Sequence, residues 1–224
     1  MSWLTEYSST SIGKKQIVAV TGILLIGFLI VHLAGNLKIY QGPEVYDAYS
    51  RFLREVGSPV FAHGELLWIA RAALLAAVGI HIQAAVALTL ASRRARPVGY
   101  RRAADLSFSY ASRTMRWGGV ILAAFVVYHV LHLTFGVAHP DFRRSVYHNV
   151  VTAFRAWPVA LSYVLAMAPL CLHVYHGLWS TTQTLGLENP RGRAWRRPVA
   201  AAVALGLFAG NVSIPVAVWM GWVR

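Results

Sequence analysis

Nine histidines punctuate this 224-residue chain, and His32, His81, His129, His132, His173 and His176 stand inside long apolar runs. His63, His139 and His148 lie in or beside the connections between those runs. An ionisable side chain at bilayer depth is costly, so it usually faces the interior of a helix bundle and has a partner there. A single imidazole in such a place is most simply a hydrogen-bonded core residue. Histidines on four separate runs change the balance, because imidazole is a strong ligand for iron, copper and zinc.

Several chemistries lack their residues. The lone cysteine, Cys171, cannot form an internal disulfide or hold a Cys-ligated iron–sulfur cluster. CxxCH, P-loop and GxGxxG patterns are absent, so covalent haem attachment and nucleotide binding have no evident basis here. The span cores contain no Asp or Glu, which a di-iron bundle or an HExxH hydrolase needs. Copper would lack Met or Cys partners.

The histidines fall at two depths. At about 1.5 Å per helical residue, His32 lies roughly 9 Å from Lys38, His81 roughly 24 Å from Glu65, and His173 a similar distance from Trp157. The first and third runs then supply an outer pair, and the second and fourth an inner pair. Two bis-imidazole haems stacked across a membrane match this pattern, with both axial positions filled for electron transfer. In His129-Val-Leu-His132 and His173-Val-Tyr-His176 either histidine could serve, since residues three apart share a helix face. Depth alone leans to His132 and His176.

The elements that must hold these side chains follow from composition. Hydrophobic residues make up 57% of the chain and charged residues 13%, well below the usual charged fraction, which indicates a membrane protein. The net charge of +13 would otherwise point to nucleic acid, but the basic residues lie between apolar runs. We expect an all-α bundle, one domain over 1–224, with spans near 17–37, 66–90, 117–137, 159–185 and 199–223. The first run is too long for a signal peptide. Basic residues cluster at Lys14 and Lys15, at Arg93, Arg94, Arg96, Arg101, Arg102, Arg113 and Arg116, and at Arg191, Arg193, Arg196 and Arg197. The positive-inside rule therefore puts the N-terminus in the cytoplasm and the C-terminus outside. Residues 43–56 read as a surface helix with Val45, Tyr49, Phe52, Leu53 and Val56 on one face, opened by Pro43 and closed by Gly57. Pro169 predicts a kink in the fourth run.

These residues resemble a known family. TGILLIGFLIVHLAGNL, LWIARAALLAAVGIHIQAAVALT, GGVILAAFVVYHVLHLTFG and above all LHVYHGLWSTTQTLGL are similar to the five-helix, two-haem cytochrome b membrane subunit of succinate:quinone oxidoreductases, the succinate dehydrogenase and fumarate reductase group. The resemblance covers nearly the whole chain. It implies His32, His81, His129 and His173 as axial ligands, paired His32 with His129 and His81 with His173. It also implies a respiratory complex II of the tricarboxylic acid cycle. There a flavoprotein subunit oxidises succinate, an iron–sulfur subunit carries the electrons, and this chain passes them through two haems b to a quinone. Menaquinone is favoured over ubiquinone, and the setting is a bacterial cytoplasmic (inner) membrane. The dicarboxylate chemistry would live on partner chains, and no nucleic acid is expected.

Further residues have weaker claims. Arg71 lies near the outer haem level and could fork onto a propionate or snorkel to the interface. Lys15, Gln16, Arg113 and Gln183 border the inner haem and could hold its propionates. Glu65 and His63 are titratable candidates beside a quinone, which takes up protons on reduction. The eight tryptophans mostly sit near span ends, as an interfacial belt does. Rival readings are the haem subunit of a hydrogenase, formate dehydrogenase or nitrate reductase, and a cofactor-free transporter or anchor.

Overall fold

The computed structural model describes residues 3–95, 110–187 and 193–224. Arg96, Arg101, Arg102 and Arg191 lie outside them. The described residues form an all-α arrangement of α1 (Trp3–Ser9), α2 (Ser11–Asn36), α3 (Pro43–Glu55), α4 (Glu65–Arg94), α5 (Tyr110–His129), α6 (Val146–Arg155), α7 (Trp157–Thr184) and α8 (Arg193–Trp219). Five stretches are long and apolar enough to cross a membrane: Ser11–Gln41, Glu65–Arg94, Thr114–Thr134, Trp157–Thr184 and Ala194–Trp219. This is the architecture of a multi-pass membrane protein, and the five spans are those expected from the apolar runs.

The ends differ from expectation for local reasons. Helix α2 starts at Ser11, not near residue 17, because the Thr10 hydroxyl accepts the Gly13 N–H at 3.0 Å and caps the helix. The third span stops at Thr134, where α5 widens into a π turn, Val130–Thr134, with the Phe135 N–H reaching the Val130 carbonyl at 3.0 Å. Gly136 then turns the chain away at φ +73°, and a Cβ there would sit 2.3 Å from the Phe142 ring. Helix α7 stays helical through Pro169.

Adjacent spans pack in a defined order. Helix α4 lies on α2, α2 on α7, α7 on α5, and α8 along α7. Small buried residues, Ala77 and Ala84 of α4 and Ala19 of α2, allow close approach of helices where lipid supplies no hydrophobic drive. In the most apolar stretch of α2, α4 and α5, 11% of residues are buried within the chain, against 28% in α7 and α8. The first three therefore keep faces that only lipid or another group can cover.

The end of the bundle opposite the N-terminus carries a larger core of Ile39, Tyr46, Val151, Phe154, Tyr163 and Val218. Helix α6 contributes to it, although residues 146–155 lie in the sequence between the third and fourth apolar runs. Its start is marked by Ser145, whose Oγ accepts the His148 N–H at 3.1 Å. Helix α3 forms where expected, but its buried face is rotated. Tyr46 is buried, whereas Val45 and Phe52 point outward at 40% and 57% exposure. The reason is that Tyr49 packs over Gly35, which turns the neighbouring Tyr46 toward α2, where its hydroxyl donates to Asn36 Oδ1 at 3.3 Å. Burial, then Asp47 and Tyr49, pushes the Tyr46 phenol up to about 12, so it stays a neutral donor.

Asp47 joins the two short helices. Its carboxylate accepts Ser145 Oγ at 2.6 Å and the Tyr147 N–H at 3.0 Å, at the N-terminus of α6. Charge-assisted bonds at a helix N-terminus are among the stronger polar contacts. Asp47→Ala should therefore lower stability by about 2 kcal/mol. Thermal melting of the detergent-purified protein checks this; an unchanged midpoint would show that α3 and α6 hold together without the carboxylate.

Candidate functional site

Four spans, in the order α4, α2, α7, α5, form an open array. Neighbours pack, but among the described residues the diagonals α2–α5 and α4–α7 make at most marginal contact, as does the edge α4–α5. Imidazoles bridge both diagonals. His32 of α2 faces His129 of α5 with ring centres 6.0 Å apart and planes at 90°. His81 of α4 faces His173 of α7 at 6.3 Å and 55°. Phe28 stacks on His32, and Phe125 lies against His129.

The two pairs sit at different levels. Thr21 and Gly22 of α2 touch His81, and His32 comes 11 and 10 residues later, about 15–16 Å along a helix. On α5, Gly119 lies beside His173, and His129 follows 10 residues on, again about 15 Å. A Cβ on Gly22 or Gly119 would meet the imidazole Cε1 of His81 or His173 at 3.6 and 3.9 Å, ordinary van der Waals contact, so these positions border the rings without crowding them. Beside His173 lies a cavity of about 580 Å³ between α5 and α7, walled by Trp117, Gly118, Phe125 and Pro169.

The other two intramembrane histidines go elsewhere. The π turn carries His132 away from the α2 face and buries it completely. There its Nδ1 lies 2.9 Å from Tyr163 Oη, with Tyr128 stacked on one side and His139 nearby. His139 is itself satisfied: Nε2 donates to the Asn149 carbonyl at 2.8 Å, and Nδ1 accepts the Asp141 N–H at 3.1 Å. His176 lies against Trp179.

The weaker candidates are scattered. Arg71 is half-buried with its guanidinium 4.8 Å from the Trp68 ring, beside Arg54. Gln16 accepts the Tyr7 hydroxyl, and Lys15 and Gln183 are exposed. Arg113 falls in the first turn of α5, and its side chain lies outside the described ones. Glu65 accepts the Ala62 N–H at 2.9 Å and so fastens the turn into α4, and His63 is exposed beside it. In the connection before α6, Arg143 and then His148 hold the Asp141 carboxyl below its ordinary range.

A paired bis-imidazole arrangement fits a flat porphyrin better than a bare ion. Among the described residues no three His, Cys, Asp or Glu converge as a metal site. A porphyrin brings its own equatorial nitrogens and asks the protein only for the two axial ones. Two imidazoles sharing one first-row metal at about 2.0–2.1 Å per bond put their centres roughly 6.3 Å apart. The Nδ1 atoms of His129 and His173 are buried without a partner among the described residues, as are Nε2 of His132 and Nδ1 of His176. No family model, curated protein or solved structure matches the chain.

Thr21 and Tyr163 were not singled out from sequence. Thr21 had a signal, since it stands 11 residues, close to three full turns, before His32 and therefore on the same face of α2. Tyr163 had none, because its partner is set by the π turn. Tyr163→Phe should leave the His132 imidazole under-satisfied and cost about 1–3 kcal/mol. Denaturation of the purified variant checks this; wild-type stability would mean that a water replaces the hydroxyl.

Proposed function

We propose that this chain is the membrane-anchor cytochrome b subunit of a succinate dehydrogenase (complex II), carrying two haems b. The observation that supports it best is the pair of imidazole bridges across helix diagonals that otherwise barely meet. Haem bound there would supply one-electron storage at two levels about 15 Å apart. His32 and His129 would hold one group, and His81 and His173 the other. Apolar walls from Phe28 and Phe125 exclude water from the first pair, and Trp117 and Pro169 do so near the second. Arg71, Gln16, Arg113 and Gln183 are the side chains proposed for the propionates.

The rest of the reading rests on charge and on the family resemblance. Lys15, Arg93, Arg94 and Arg116 gather at the end of the bundle that the positive-inside rule assigns to the cytoplasm. Succinate would be oxidised on a flavoprotein subunit, and an iron–sulfur subunit would deliver the electrons at that basic face. His81 and His173 lie nearer to it and would serve the haem loaded first. The His32–His129 level, at the opposite end, would face a membrane quinone, menaquinone by resemblance, with Glu65 and His63 the titratable side chains proposed beside it. The proposed setting is a bacterial cytoplasmic membrane.

A pyridine-haemochrome assay on the purified chain should give two haems b. His32→Ala and His81→Ala should each lose one, while His132→Gln and His176→Gln should keep both. His32→Ala should also lose quinone reduction by the assembled complex while dye-linked succinate oxidation persists. A colourless wild type, or one haem per chain, would contradict the reading.

A further inference from the structure

Thr21 is the one polar side chain that engages an imidazole of either pair: among the described residues, no other hydrogen bond reaches His32, His81, His129 or His173 from a side chain. Its Oγ lies 2.9 Å from His81 Nδ1, 2.7 Å from the Ile17 carbonyl and 3.2 Å from the Val18 carbonyl. The hydroxyl has one proton. Carbonyl oxygens only accept, so the short 2.7 Å approach to Ile17 requires that proton; otherwise two lone pairs would face each other. This is the usual back-bond of a helical threonine to the residue four before it. The Thr21 oxygen therefore meets His81 with a lone pair, and His81 Nδ1 must carry the hydrogen.

We infer that Thr21 is a positioning residue that fixes His81 as the Nδ1–H tautomer, with Nε2 bare and aimed at the centre of the bundle. This rests on the reading of the histidine pairs as haem ligands. A ligand imidazole whose other N–H donates to an oxygen is held in orientation and made a stronger base. Stronger donation favours ferric over ferrous iron, so the Thr21 hydroxyl lowers the potential of the His81–His173 centre relative to the same centre without it. The opposite imidazole of that pair has no such support, since His173 Nδ1 is buried without a partner among the described residues. His129 is in the same position in the other pair. The chain thus tunes one of its two centres through one hydroxyl.

The test is a redox titration of the haem absorbance in the purified full chain, for wild type, Thr21→Val and Thr21→Ser. Valine keeps the β-branched shape and removes the hydroxyl; serine keeps the hydroxyl. In Thr21→Val, one of two steps should move to more positive potential by about tenfold in the ferric-to-ferrous ratio, which is about 59 mV for a one-electron couple. The other step should stay, and Thr21→Ser should titrate as wild type. Loss of one haem in the valine variant alone would carry the same meaning. Two unchanged steps in Thr21→Val, or equal behaviour of the valine and serine variants, would overturn the role of the hydroxyl. A wild type without haem would instead overturn the reading on which the inference rests, and that measurement comes first.

Discussion

The arrangement depends on the empty diagonals of the four-helix array. In a bilayer, lipid tails solvate a leucine as well as another helix does, so helices associate through close packing and polar contacts. Here α4 reaches α2, and α5 reaches α7, by such packing. Across the diagonals there is little packing, only facing imidazoles about 6 Å apart. A charged or polar pair in hydrocarbon with nothing between its members is expensive. A metal at the centre of each pair would convert that expense into two strong bonds. On that proposal, the same constraint accounts for the histidines coming from alternate spans.

The remaining structure keeps those spans in register. At the end opposite the N-terminus, Asp47 clamps α3 to α6, and the Tyr147 hydroxyl donates to the terminal Arg224 carbonyl at 3.0 Å. Tyr40 donates to Ser213 at 2.8 Å, which ties the end of the first span to α8. The π turn after His129 has a related role. Both His129 and His132 border Tyr163, but only His129 faces His32, while His132 Nδ1 engages the Tyr163 hydroxyl. π turns inside α-helices occur often at functional sites because they re-aim single side chains in this way.

Much of this was legible in the sequence, because apolar length and intramembrane histidines are strong signals. The five spans came from composition alone. Pairing by depth placed His32 with the third span and His81 with the fourth, and the ring geometry brings the same spans together. Depth leans to His132, whereas the ring that faces His32 is His129, because that choice turns on a backbone irregularity with no clear residue code. The short helices were harder. Helix α6 buries Val150, Val151 and Phe154 against the bundle end, but its ten residues are too few for periodicity to stand out from a connection. The face of α3 was misjudged because a Gly35–Tyr49 contact, which is tertiary, outweighed the helical stripe of Val45 and Phe52.

The central claim is that each imidazole pair holds one iron. Iron-edge anomalous diffraction from crystals of the purified protein tests it most directly. Two iron peaks are predicted, one between His32 and His129 and one between His81 and His173, about 15 Å apart along the bundle. Absence of iron, a single peak, or iron bound at His132 or His176 would contradict the account.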